Sequence, residues 1–231
     1  MEALTVDELT FEVRRSRRRK TVEITLDRGG ELIIAAPPDA GRELLEGFVR
    51  EKRFWLYTKM AEKQSRLQPL AAKEFVSGEG FPYLGRSYRL LLVEGQDVPL
   101  KLEAGRFKLR RSIAPQARAH FVNWYTEHAQ TWLRRRVKDW ARRMGVAPAG
   151  VEVRDLGFRW GSCGRAGNVN FHWATILLPI SLVDYVIVHE LAHLIEPNHT
   201  PEFWQRVGRA LPEYEQRKNW LAEHGGRHVV L

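Results

Sequence analysis

The chain has 231 residues, 44% hydrophobic and 28% charged. That is enough apolar content to bury a core, and it excludes a globally disordered chain. Lys and Arg number 37 against 28 Asp and Glu, a net charge of +9. Such a balance suits a phosphate-bearing partner, an acidic protein or an anionic surface, or is a plainly solvated basic surface. At about 150 residues per domain, the length accommodates one large domain or two small ones.

The single cysteine excludes an intrachain disulfide and fits a reducing cytosol. The opening MEALTVDELTFEV is acidic and lacks the apolar stretch of a secretory signal. No run of about 18 apolar residues is present to span a bilayer. A cytoplasmic protein without a membrane partner is expected.

In chain order, Phe11–Arg14, Thr21–Leu26 and 31–36 are short β-prone runs, with turn residues Asp27-Arg28-Gly29-Gly30 between the last two. Residues 14–20 read RRSRRRK, a loop or exposed hairpin that is either a phosphate-binding arm or a solvated turn. A helical pattern covers 41–66, and a second β-rich stretch covers about 75–110. No internal repeat stands out. From Pro115 to Gly145 the chain predicts a long helix, with Pro in its first turn and Gly as its stop. The change of character places a domain boundary near residue 113: a β-rich region with one helix over 1–113, and a second domain over 114–231.

Residues 151–178 read as strands, with a hairpin turning at 164–167 and Pro179 closing the stretch. Ser181 suits an N-cap for a helix over 182–196, Thr200-Pro201 starts another, and a further helix starts near Pro212. Residues 168–175 are a candidate edge strand on which an extended peptide could pair; the alternative is an internal strand.

The chemistry concentrates at His189-Glu190-Leu191-Ala192-His193. On a helix, positions i and i+4 share a face, so both imidazoles reach one ion, and the carboxylate beside the first is placed to take a proton from water. The alternative is a pair of core histidines hydrogen-bonded to backbone. A catalytic zinc needs a third protein ligand. His199, six residues after His193, is the first candidate, although Glu196 stands where HExxHxxGxxH enzymes carry Gly. Glu213 is the second. His224 and His228 sit near a Gly-rich tail and are expected to be exposed. Cys163 is expected to be a small buried residue rather than a ligand. Arg159, His172 and Tyr214 are candidate donors to an oxyanion.

The run RWGSC at 159–163, GNVNFHW at 167–173 and LLPISLVDYVIVHELAHLIEPNHTPEFW at 177–204 resembles the YgjP-like metallopeptidases, relatives of the SprT-like zinc proteases. The resemblance is dense over about 155–205 and departs at His172, where many relatives carry an amide. It implies zinc held by His189, His193 and His199, with Glu190 as catalytic base. It also implies an α+β fold: a minimal zincin-like core of a small sheet beside the HExxH helix, with a β-rich N-terminal part. The implied activity is peptide-bond hydrolysis on a polypeptide substrate. Two alternatives accompany it: a UTP pyrophosphatase using the same metal, described for some members, and a DNA-associated protease like the SprT-like kin, which the basic charge would suit.

Overall fold

The computed structural model describes residues 2–7, 9–26, 32–53, 55–57, 60, 73–157, 159–225 and 231. The chain divides into two units, residues 1–70 and 71–231. In the first, β1 (Glu2–Val6) and β2 (Leu9–Arg15) form an antiparallel pair, and β3 (Glu23–Leu26) pairs antiparallel with β4 (Leu32–Ala36). Strands β2 and β4 run parallel at the centre, giving the order β1-β2-β4-β3. Alternation decides which face is covered: Leu9, Phe11 and Val13 are buried while Thr10 and Arg14 are exposed. The buried face packs with Ile34, Ala36 and the apolar stripe Leu45 and Val49 of α1 (Arg42–Glu51). The remainder of the expected 41–66 helical pattern falls partly outside the described residues.

The RRSRRRK stretch is only partly a free basic arm. Arg14 donates two hydrogen bonds to the Glu12 carboxylate, both 2.7 Å. Arg15 pairs with Glu2 and donates to the carbonyls of Pro37, Pro38 and Ala40. Arg19 pairs with Glu23 at 2.7 Å. Arg17, Arg18 and Lys20 remain exposed.

The second unit begins with the same sheet again. Strands β5 (Gly80–Tyr83), β6 (Arg86–Val93), β7 (Leu100–Glu103) and β8 (Arg106–Arg110) take the order β5-β6-β8-β7. Their outer pairs are antiparallel and the central pair β6·β8 is parallel, as in the first sheet. The parallel pairs Val13↔Ile34 and Leu90↔Phe107 are both buried, each in the core of its own unit. A repeat therefore exists where none was expected. It is carried by pairing order and buried positions, and apolar residues of different shape fill those positions, so letter-by-letter similarity does not reveal it.

A 3-10 turn, Arg111–Gln116, leads into α2 (Ala117–Met144). Pro115 lies in that turn rather than in the helix, and Gly145 stops the helix at φ +66° as expected. The division of units falls at 70/71 instead of near 113 because the second sheet is knit to α2. Phe81 stacks on Phe121 at 4.2 Å between centroids, and the Tyr125 hydroxyl donates to the Pro82 carbonyl at 2.8 Å.

The remaining elements are β9 (Gly150–Arg154), β10 (Gly161–Cys163), β11 (Asn168–His172), α3 (Ile180–Ala192), α4 (Pro201–Ala210) and α5 (Tyr214–His224). The sheet order is β10-β11-β9, with the hairpin at 164–167 as predicted. Residues 173–177 form a 3-10 turn rather than extending the strand. Its Ile176 carbonyl accepts from Leu84 N–H, at the β5–β6 turn, at 2.8 Å. The fold is α+β, with this small sheet beside α3. Among the described residues, no helix is long and apolar enough to cross a membrane.

Helix α3 is buried nearly all round: Leu182, Val183, Val186, Ile187, Val188, Leu191 and Ala192 are all enclosed. Its cap is Pro179, not Ser181, and it ends at Ala192 rather than near 196. Asp184, in its first turns, is buried and accepts two hydrogen bonds from Arg136, both 2.6 Å, and one from Trp140 Nε1 at 2.8 Å. This charge-assisted junction ties α2 to α3. Arg136→Ala leaves the Asp184 carboxylate buried without its counter-charge and is expected to cost about 3 kcal/mol. Urea unfolding should show the lower midpoint at an unchanged slope.

Candidate metal centre

His189 lies in the last turn of α3, and His193 is its C-cap residue, one turn further along the same face. The chain then reverses. Glu196 accepts from His193 Nδ1 through its carbonyl at 3.1 Å, and from the Asn198 N–H through its carboxylate, also 3.1 Å. Thr200 caps α4 by accepting from the Phe203 N–H at 3.3 Å, with Pro201 as first helical residue, as the sequence predicts. This reversal returns His199 onto α3, where its Nε2 lies 3.0 Å from His189 Nε2. One ring nitrogen from each of the three histidines lies within 4.8 Å of the others. Glu196 serves where HExxHxxGxxH enzymes carry Gly because its backbone does not take a positive φ.

Phe203 packs behind all three rings, at centroid distances of 5.0, 4.5 and 4.8 Å from His189, His193 and His199. Burial pushes His189 down to about 3, and the neighbouring His193 and His199 add to the shift. Burial also lowers His193 and His199. Neutral imidazoles present lone pairs. At His193, the bond to a carbonyl places the proton on Nδ1 and leaves Nε2 as the donor atom. His189 Nδ1 is buried without a hydrogen-bond partner among the described residues. Three convergent neutral nitrogens fit the donor set of a catalytic zinc.

Glu190, next to His189 in α3, packs against β10. A Cβ placed on Gly161 would lie 2.6 Å from Glu190 Cγ and 2.7 Å from its Oε1, so the carboxylate side chain occupies space that only glycine leaves. Burial raises the Glu190 pKa to about 8, opposed by the charge of Arg159. The histidines and Glu190 share a cavity of about 710 Å³ whose facing wall is β10 with its flanks, including Arg159 and Arg165.

Residues 20–224 match the YgjP-like metallopeptidase domain. The chain belongs to the YgjP-like metallopeptidase family. The crystal structure of the metallopeptidase zymogen of Pyrococcus abyssi abylysin is similar over 37% of this chain and 88% of its own, at 22% identity and a TM-score of 0.35. No curated protein matches.

Within this YgjP-like site, the other sequence candidates separate. Glu213 lies outside the histidine group and pairs with Arg217 at 2.8 Å. Of the three oxyanion candidates, only Arg159 lines the cavity. His172 is buried elsewhere: its Nδ1 accepts from the Ala174 N–H at 3.1 Å, so the proton sits on Nε2, 3.3 Å from Asp155. The Tyr214 ring stacks on Trp204, and its hydroxyl bonds to Glu215. Cys163 lines the cavity half-exposed rather than buried, and it stands outside the histidine group. His224 is partly covered by stacking on Trp220, and His228 lies outside the described residues. The expected edge at 168–175 is internal, because β11 is paired on both sides; β10 and β9 are the outer strands, and β10 is the one that lines the cavity.

Two residues of the site escaped sequence reasoning. One is Gly161, for which the sequence carries no signal beyond its place in RWGSC. The other is Tyr185, which lines the cavity one turn before His189. Its position i−4 from the first histidine was the available signal. Gly161→Ala is expected to destabilise the wild type by about 1–3 kcal/mol through overpacking. In a Glu190→Ala background the same change should be neutral or stabilising, since alanine suits a strand better than glycine. Thermal melting of the four proteins measures the coupling; equal shifts in both backgrounds would remove the proposed contact.

Proposed function

We propose that this chain is a zinc-dependent peptidase in which His189, His193 and His199 hold the ion and Glu190 is the general base. The observation that carries the reading is the convergence of three ring nitrogens within 4.8 Å beside a cavity that also contains a buried carboxylate. Zinc bound there supplies Lewis acidity and a nucleophile at neutral pH. Glu190 takes the proton of the attacking water at its carboxylate and delivers it to the leaving amine. Its elevated pKa suits that shuttle, and the charges of Arg159 and of the ion favour the ionised form it needs at the start.

Tyr185 serves as the donor to the carbonyl oxygen as charge develops on it. Its hydroxyl stays protonated because burial, and then the Glu190 charge, push its pKa well up. The open edge of β10 receives the peptide as an added strand, so that main-chain bonds supply affinity. A lone half-buried thiol suits a reducing compartment and supports a cytoplasmic location.

The test is hydrolysis of an unfolded polypeptide by the zinc-loaded protein. Glu190→Ala should retain one equivalent of zinc and lose turnover, and His193→Ala should lose the zinc. Full zinc stoichiometry in His193→Ala, measured by atomic absorption, overturns the ligand assignment. Tyr185→Phe should lower kcat about 100-fold with KM little changed. An unchanged kcat assigns the oxyanion to another donor.

A further inference from the structure

We propose that the site selects extended peptide segments carrying carboxylate side chains on both flanks of the scissile bond, recognised by Arg159 and Arg165. The inference rests on the peptidase reading above and names its substrate class. Both arginines line the cavity and both are exposed. Arg159 stands two residues before the first residue of the edge strand β10, and Arg165 two residues after its last, so they bracket the strand. The other charged or titratable groups on that wall and its opposite side are the buried Glu190, the half-exposed Cys163, Tyr185 and the three histidines. Of the Arg, Lys, Asp and Glu side chains lining the cavity, the two arginines are the exposed ones and Glu190 is buried.

The backbone at both flanks is pinned, which reduces the ordering cost of recognition. The Trp160 carbonyl accepts from the His172 N–H at 2.9 Å and from the Thr175 hydroxyl at 3.0 Å. On the other flank, Gly164 N–H donates to the Asn168 carbonyl at 2.8 Å, and Gly167 N–H to the Gly164 carbonyl at 2.9 Å, closing the turn that presents Arg165. Arg165 has no ion-pair partner among the described residues. Arg159 lines the same cavity as Glu190, and its charge favours the ionised carboxylate.

An extended chain running from 159 to 165 spans up to about 20 Å. A peptide of similar length lying along β10 passes both cations. Because the two flanks carry the same charge, the preference holds for either direction of the bound peptide. Each exposed pair contributes up to about fivefold in affinity, decreasing with salt.

The experiment uses full-length, zinc-loaded Glu190→Ala protein and three fluorescent nonapeptides with one common apolar centre. Both ends carry Glu, Gln or Lys. Anisotropy at low salt should rank them Glu over Gln over Lys, with about tenfold between the first two. Arg165→Glu should remove most of that difference, and Arg159→Glu with Arg165→Glu should invert the order while circular dichroism stays unchanged. Equal affinity for the Glu and Gln peptides, or an order that survives the double reversal, overturns the proposal. So does arginine-dependent binding of UTP by a protein that binds none of the peptides. Hydrolysis of unfolded protein by the wild type without acidic preference overturns this inference and leaves the peptidase reading intact. Arginine-dependent acidic preference without any hydrolysis supports the recognition surface and overturns the peptidase reading.

Discussion

The Glu190 side chain lies directly against the backbone of β10, at a distance that admits no Cβ on Gly161. That close approach brings the edge strand and α3 together with one reactive side chain between them, and it sets the width of the cavity. It also removes the carboxylate from water, which is the main cause of its raised pKa. A wider gap would leave Glu190 hydrated with an ordinary carboxylate pKa. A side chain at 161 would force it away from the position it holds.

Helix α3 can carry such groups because it is otherwise largely apolar and enclosed from Leu182 onward. Each polar interruption of the helix has its own compensation. Asp184 is neutralised by Arg136 and Trp140 and anchors the helix to α2. The histidines meet one another over Phe203. Glu190 has the charge of Arg159 within reach. On the proposed reading, a bound cation balances the last two groups together: it takes the lone pairs of the neutral imidazoles and favours the ionised carboxylate.

The chain uses one sheet topology twice, once in each unit. In the second unit that sheet is bonded to α2 through Tyr125 and to the turn before α3 through Leu84, so it supports the site without contributing a reactive group. The first unit carries the same strand order, and its basic stretch is partly consumed by its own acids. Arg15 reaches back to Glu2 across the β1–β2 pair, a partner that a count of charges along the chain does not reveal.

What the sequence determined by itself was local. The spacing of His189 and His193, the Thr200-Pro201 helix start, the turn at 164–167 and the Gly145 stop follow from helical periodicity, capping and backbone preference, all of which act within a few residues. The tertiary structure decided what depends on return paths and pairing partners. It brought His199, and not Glu213, to the other two histidines, because the turn at 196–198 folds back on α3. It made β10 an outer strand, rather than β11, by pairing β11 on both sides. It moved the unit boundary to 70/71 by packing Phe81 on Phe121, and it set Glu190 against a glycine 29 positions away. Such contacts join residues far apart in the chain, and their energy comes from packing and burial that no local run of residues encodes.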